Sequence, residues 1–140
     1  VLGANNYLSE MKTKIATIKK SLLSSTNINK EMIKSARELE MALNEIDIAM
    51  NGNKSISERN ASQPPSISDR LWYLFYGMWK TTSQPTNSQE MTYKIIAEEF
   101  SPILAKIKSL SDNELAELEK KMESIKSPWT PGRIPDWKAE

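Results

Sequence analysis

The sequence predicts an all-α fold: a four-helix, up-down-up-down antiparallel bundle with a kinked or split last helix and an extended tail. Apolar residues recur every three or four positions over most of the chain, which is the spacing of one face of an α-helix. Alternating runs of strand-forming residues are absent from the sequence. The 140 residues, 39% hydrophobic and 26% charged, are typical of one globular domain.

Two unbroken apolar stripes predict the first two helices. The first stripe predicts a helix over residues 5–24 and consists of Leu8, Met11, Ile15, Ile18 and Leu22. The second predicts a helix over residues 29–51 and consists of Ile28, Met32, Ala36, Leu39, Leu43, Ile46 and Met50. Asn29 or Asn27 can cap the second helix by accepting a backbone hydrogen bond, and Gly52 is expected to end it.

The third helix is predicted over residues 67–81, after an aperiodic surface connection at residues 53–65. It is apolar nearly all round, and a short helix of that kind is normally buried on several sides. Gly77 lowers the helix propensity by about 1 kcal/mol relative to alanine. We expect this glycine to allow another element to approach closely.

The fourth helix is predicted over residues 87–109, with Thr86 and Gln89 forming a capping box at its start. Pro102 lies inside its apolar stripe and is expected to kink the helix near residues 98–101.

A fifth helix is predicted over residues 112–126, with a second capping box at residues 111–114. The apolar phase slips between Leu110 and Leu115, which predicts a bend or a break there. One continuous helix through Lys126 is the alternative.

The charge distribution favours contact between the first and last helices. Residues 1–30 hold five lysines and one acid, Glu10, whereas residues 112–119 hold four acids and no base. The first and last helices are neighbours in an up-down-up-down bundle, so the opposite charges would support that order.

The composition argues against catalysis and against a bound cofactor or metal. The chain contains no histidine and no cysteine, which removes the usual general base, thiol chemistry and the commonest metal ligands. The carboxylate pairs Glu98–Glu99 and Glu38/Glu40 are better interpreted as solvated helix faces, since adjacent helical residues diverge by about 100°. The net charge of +1 gives no drive toward nucleic acid. We therefore expect a protein that is not an enzyme.

The aromatic residues of the third helix have two interpretations. Trp72 and Trp79 lie seven residues apart on one helical face, with Tyr73 and Tyr76 nearby. Core filling is the favoured interpretation, because aromatic stripes at helical spacing are usually buried. The alternative is a candidate binding surface on which a sugar or peptide stacks.

The last segment, Ser127-Pro-Trp-Thr-Pro-Gly-Arg-Ile-Pro-Asp-Trp137, contains three prolines and cannot be helical. We expect it to lie extended across the bundle and to dock through Trp129, Pro131, Arg133 and Trp137.

The segment resembles the end of large secreted bacterial proteins built on a sortilin-like, BNR-repeat β-propeller, which are often labelled glycosyl hydrolases. The residues that fit are Pro128, Trp129, Thr130, Pro131, Gly132, Arg133, Pro135 and Trp137. Lys126-Ser127 departs from that pattern.

The resemblance implies a C-terminal accessory module of a secreted, periplasmic or cell-surface protein, excised from a longer chain. The partner would be the upstream β-propeller of the same protein, or a second copy. The alternative function is a glycan-binding module that assists an upstream glycosidase-like domain through exposed tryptophans. No run of apolar residues in the sequence is long enough for a transmembrane segment.

Overall fold

The computed structural model describes residues 1–24 and 29–125, and these residues form helices and connections without any strand. The elements are α1 (Leu2–Ser24), α2 (Lys30–Asn51), α3 (Lys54–Ser57), α4 (Ile67–Trp79), α5 (Asn87–Ser109), a π-helical segment (Leu110–Leu115) and α6 (Ala116–Ser124). The all-α prediction is therefore confirmed for this part of the chain. The predicted docking residues of the tail lie outside the described residues; they are Trp129, Pro131, Arg133 and Trp137.

Helices α1 and α2 pack side by side along the two stripes that the sequence predicts. All five residues of the first stripe are buried, as are the residues of the second stripe from Met32 to Met50. The side chain of Asn29 accepts hydrogen bonds from the backbone N–H groups of Glu31 and Met32. Gly52 ends α2 with φ at 79°, a positive value that glycine adopts more readily than other residues. Helix α1 begins at Leu2, earlier than predicted.

The main core is completed by the C-terminal part of the chain. Its members there are Ile107, Leu110, Leu115, Leu118 and Met122, all at most 4% exposed. Lys14 of α1 forms an ion pair with Glu119 of α6, with Nζ 2.6 Å from Oε1. The basic first helix and the acidic last helix are thus in contact at this point.

The π-helical segment accounts for the phase slip between Leu110 and Leu115. A π turn spans one residue more than an α turn, so both leucines face the core although they are five positions apart. A break at this point is therefore wrong, as is the second capping box, whereas a bend remains a prediction; the alternative of one continuous helix holds as far as Ser124. The chain stays helical from Asn87 to Ser124, and neither the π segment nor α6 begins with a side-chain cap. The kink expected at Pro102 remains a prediction, while α5 runs through this residue as one helix.

Helices α4 and α5 form a second, smaller unit. Its buried residues are Ile67, Leu74 and Ile96, with Leu71, Phe100 and Ile103 packed against them. We call residues 67–96 the arm. Helix α4 ends at Trp79, two residues before its predicted end. The connection between α2 and α4 contains the short helix α3, which was not predicted.

A network of polar side chains attaches the base of the arm to α1 and α2. Lys12 Nζ donates to Asp47 Oδ2 at 2.6 Å, and Asn51 Nδ2 donates to Asp47 Oδ1 at 2.7 Å. The same Asn51 amide donates to Asn5 Oδ1 at 2.9 Å, and Ser68 Oγ donates to Asn51 Oδ1 at 2.9 Å. Asn5 Nδ2 in turn donates to Ser68 Oγ at 3.3 Å. Three helices therefore meet at one hydrogen-bonded junction.

Candidate interaction surface

Helix α4 has two apolar stripes that point in different directions. The helix starts at a capping box, in which Ser66 Oγ accepts from the Asp69 N–H and the Asp69 carboxylate accepts from the Ser66 N–H. One stripe, formed by Ile67, Leu71 and Leu74, faces the small core of the arm. A second stripe, which we call the aromatic ridge, consists of Trp72, Phe75, Tyr76 and Trp79.

The four rings of the aromatic ridge contact one another in sequence along α4. The Trp72 ring centroid lies 5.6 Å from that of Phe75, edge to face, and 5.8 Å from that of Tyr76. The Phe75 centroid lies 5.4 Å from that of Trp79, with the rings inclined at 31°. These separations are within the range of attractive aromatic pairs. The ridge is therefore one continuous surface rather than four separate side chains.

The aromatic ridge is open to solvent, so the interpretation of these residues as core filling is wrong. Trp72 is 50% exposed, Tyr76 59% and Trp79 77%. The expectation that this helix is buried on several sides is also wrong, because only Ile67 and Leu74 of α4 are buried. Neighbouring helices cover only the face of α4 that carries the first stripe. The aromatic ridge lies outside this face and stays exposed.

The structure brings three of the four predicted surface residues together and separates the fourth. Trp72, Tyr76 and Trp79 belong to the ridge, whereas Tyr73 is exposed on its flank. Phe75 is the member that the sequence analysis missed. Its position, three residues after Trp72 and four before Trp79, is the signal that would have identified it.

The rest of the arm is also rich in exposed apolar side chains. Met78 on α4 and Met91, Tyr93 and Ile95 on α5 are 40–65% exposed. By contrast, the arm buries three residues in its own core. The arm therefore presents more apolar surface than it covers.

Gly77 lies where α5 approaches α4, as predicted. A Cβ atom at this position would be 2.9 Å from Nε2 of Gln89. Gln89 Oε1 accepts from the N–H of Thr86 at 2.8 Å, which confirms the predicted capping box of α5. The glycine therefore leaves room for the side chain that caps the neighbouring helix.

Two grooves run between α4 and α5, one on each side of the arm. The larger, of about 580 Å³, is lined by Pro65, Asp69, Arg70, Tyr73, Thr92, Ile95 and Glu99. The smaller, of about 280 Å³, is lined by Leu74, Met78, Pro85, Gln89, Glu90, Tyr93 and Lys94. Arg70 Nη1 lies 2.6 Å from Glu99 Oε2 across the larger groove.

Several of the carboxylates that could suggest acid–base chemistry are paired with lysines. Glu40 lies 2.5 Å from Lys19, and Glu38 lies 3.8 Å from Lys34. At Glu117, the hydrogen bond from Lys121 lowers the pKa of the carboxyl group below its ordinary value. This group therefore stays ionised to lower pH, as expected of a surface carboxylate next to a lysine.

The pKa of Asp47, at the base of the arm, reflects two opposing effects. Burial raises the pKa of this carboxyl, but the hydrogen bonds from Lys12 and Asn51 and the positive charge of Lys12 together outweigh it. The net result is a pKa below the ordinary value. The ionised form of the Asp47 carboxylate is thus stabilised by Lys12 and Asn51, the residues that it joins at this junction.

Neither a metal site nor a relative helps to interpret this surface. Within residues 1–24 and 29–125, no group of three or more His, Cys, Asp or Glu side chains is arranged to hold a metal ion. In the same part of the chain, no helix has the length and apolar character needed to cross a membrane. Comparisons with family models, curated proteins and solved structures find no match for the chain. The interpretation therefore depends on the geometry of the arm.

Proposed function

We propose that this chain is a non-catalytic protein-interaction module that binds through the aromatic ridge of α4. The observation that supports the proposal is the ridge itself. Four aromatic rings, each about half exposed or more, form one row on a helix whose other apolar stripe packs against the rest of the domain.

The size of the ridge fits a binding surface. Its exposed part amounts to roughly 500 Å², taking about 200–250 Å² for each whole aromatic side chain. An exposed apolar patch of that size on a soluble domain often marks an interaction site. Tryptophan and tyrosine are also the residues that most often dominate the binding energy of protein interfaces.

The spacing of the ridge indicates how a partner would be bound. Positions 72, 75, 76 and 79 follow the i, i+3, i+4, i+7 pattern with which an amphipathic helix enters an apolar groove or packs on another helix. The polar network at Asp47 and Asn51 anchors the base of the arm. An anchored helix loses little conformational entropy on binding.

The biological context of the module is part of the same proposal. The resemblance of the C-terminal segment supports a place at the end of a secreted propeller protein, with the upstream β-propeller as one partner. We further propose that the helices follow an up-down-up-down order and that the C-terminal tail docks on the bundle. The docking residues would be Trp129, Pro131, Arg133 and Trp137.

Glycan binding is a second candidate, favoured by the 77% exposure of Trp79 and by a few polar side chains in the larger, mainly apolar groove between α4 and α5. Sugar recognition combines an aromatic face with hydrogen-bonding groups that fix orientation. Tyr73, Asp69 and Arg70 supply such groups on the flank of α4. The mutual tilt of the ridge rings, 31° between Phe75 and Trp79, argues against one flat platform for a sugar chain.

Sedimentation velocity of the domain, alone and mixed with the upstream propeller portion of its gene product, tests the proposal. We expect a protein complex for the wild-type chain whose dissociation constant Trp79→Ser raises by about tenfold. Met41→Ser is the matched control, because Met41 is 59% exposed on α2, away from the arm. Isothermal titration with soluble oligosaccharides distinguishes the second candidate.

A wild-type chain that binds neither a propeller nor itself would contradict the interaction module. Heat released on titration with a sugar, and lost in Tyr73→Ser, would favour glycan binding instead.

A further inference from the structure

We infer that the occupant of the aromatic ridge is the aromatic ridge of a second copy of this chain, packed antiparallel to it. In this arrangement Trp72 of one copy lies level with Trp79 of the other. The Phe75–Tyr76 step of each copy lies level with the same step of its partner. The inference depends on the proposed interaction function and names its partner.

The order of the ridge residues supports a second copy rather than an unrelated protein. Read in either direction along α4, the ridge is Trp, two other residues, two adjacent aromatic rings, two other residues and Trp. A two-fold symmetric dimer uses the same patch on both subunits, so the patch has to complement its own reverse. An antiparallel pair of these helices meets that condition at every ridge position.

The area of the surface is close to what a dimer requires. Stable protein interfaces bury about 800 Å² on each partner. The ridge supplies roughly 500 Å², and the exposed Tyr73 and Met78 flank it on either side of α4. With these flanking residues, the outer face of the arm approaches the standard size.

The charges along α4 are compatible with the antiparallel register. Asp69 and Arg70 of one copy lie level with Thr82 and Thr81 of the other, and Lys80 lies level with Leu71. No like charges of the two helices therefore face each other. Arg70 is in addition paired with Glu99 of its own chain at 2.6 Å.

The small core of the arm gives an independent reason for a partner. Ile67, Leu74 and Ile96 are the buried residues that hold α4 against α5. A pair of helices needs further apolar faces to complete a bundle, and four helices are the common solution. Two arms related by a two-fold axis place their α4 helices together at the centre of such a group.

Sedimentation equilibrium over a range of concentrations tests the dimer. We expect the wild-type chain to dimerise, and we expect Tyr76→Ser to raise the dimer dissociation constant by about tenfold or more, as for a central aromatic of an interface. The matched control is Tyr93→Ser, because Tyr93 is 65% exposed on α5 but lies off the ridge, whereas Tyr76 is 59% exposed on it. Circular dichroism checks that both variants are folded.

Disulfide trapping tests the register, and the absence of cysteine from the chain makes it specific. In a mixture of Trp72→Cys and Trp79→Cys chains, we expect a mixed disulfide between the two variants. Trp72→Cys alone should not cross-link to itself, because antiparallel packing separates the two copies of position 72 by about 10 Å along the helix. A disulfide requires Cα atoms closer than about 7 Å.

The outcomes separate this inference from the proposed function. A monomer that still binds the propeller portion through Trp79 overturns the dimer and leaves the interaction module standing. Self-linking of Trp72→Cys overturns the antiparallel register, and a dimer unaffected by Tyr76→Ser overturns the ridge as its interface. A mixed disulfide together with the loss of dimer in Tyr76→Ser supports the inference.

Discussion

At the scale of single residues, Asp47 has the most consequential polar side chain. It accepts from Lys12 and Asn51 at once, and through Asn51 it is linked to Ser68 at the start of the arm. Its side chain is 28% exposed, so its ion pair is less screened than those on the open surface. Its ionisation is therefore coupled to folding.

We predict that Asp47→Asn lowers the free energy of unfolding by about 1 kcal/mol near pH 7. The pKa of Asp47 in the folded chain lies below its ordinary value of 3.8. Its contribution is therefore complete above that ordinary value and is lost as the pH falls through the lower folded-state value. Denaturant unfolding of both chains at pH 7 and at about pH 2 should show a difference that disappears in acid.

The control for this experiment is Glu45→Gln. Glu45 is 70% exposed and lies 3.4 Å from Lys106, so its charge should contribute little. Equal effects of the two substitutions, or a pH-independent effect of Asp47→Asn, would contradict the role of the junction.

Local signals predicted some residue roles and missed others. The Asn29 and Thr86 caps follow from side chains within three positions of the groups they bind. The contact between Asn5 and Asn51 joins residues 46 positions apart, and no local rule indicates it. Trp72, Tyr76 and Trp79 are exposed although core filling was the preferred interpretation, and their role in binding stays a prediction.

At the scale of elements, the π-helical segment shows how the sequence keeps a continuous helix in register. The five-residue step from Leu110 to Leu115 would turn later apolar residues away from the core in a regular α-helix. The wider π turn absorbs the extra residue, so that Leu118 and Met122 are still buried. The sequence revealed the slip in phase but not whether a break or a wider turn would resolve it.

Deletion of Asn113 should therefore be tolerated. Asn113 is exposed within the π segment, and its removal makes the step between the two leucines four residues, as in a regular α-helix. We expect the free energy of unfolding to change by less than about 1 kcal/mol. Thermal unfolding followed by circular dichroism provides the measurement.

Deletion of Glu117 is the matched control. It removes an exposed residue from the regular part of α6 and rotates Leu118 and Met122 by about 100° away from the core. We expect a loss of about 3–5 kcal/mol, as for the truncation of large buried side chains. Equal tolerance of both deletions would show that the π segment does not set the register.

At the scale of the whole molecule, the domain has two cores of unequal size. Among residues 1–24 and 29–125, sixteen buried residues form the main core and three form the core of the arm. Periodicity predicted which residues share a helical face, and it did so correctly for α1 and α2. It could not predict which helical faces pack against another helix. For that reason the exposure of the aromatic ridge of α4 was missed.

We predict that the two cores differ in stability. Leu43→Ala, in the main core, should lower the free energy of global unfolding by about 2–5 kcal/mol. Leu74→Ala should mainly speed amide hydrogen exchange within residues 67–96, because a core of three buried residues is expected to open before the larger one. Met41→Ala, at a 59% exposed position, should change the global value by less than about 0.5 kcal/mol.

Hydrogen exchange followed by mass spectrometry makes this comparison segment by segment. If Leu74→Ala speeds exchange in α1 and α2 as much as in α4 and α5, the domain unfolds as one unit and the prediction of a separate arm is wrong.

The exposed position of Trp72 and Trp79 also makes the domain its own optical reporter. Indole emission depends on the polarity around the ring, and these two of the four tryptophans stand on the face where contact is proposed. Any molecule that covers the ridge should shift their emission toward shorter wavelength. Occupancy of this surface can therefore be followed in the unlabelled protein.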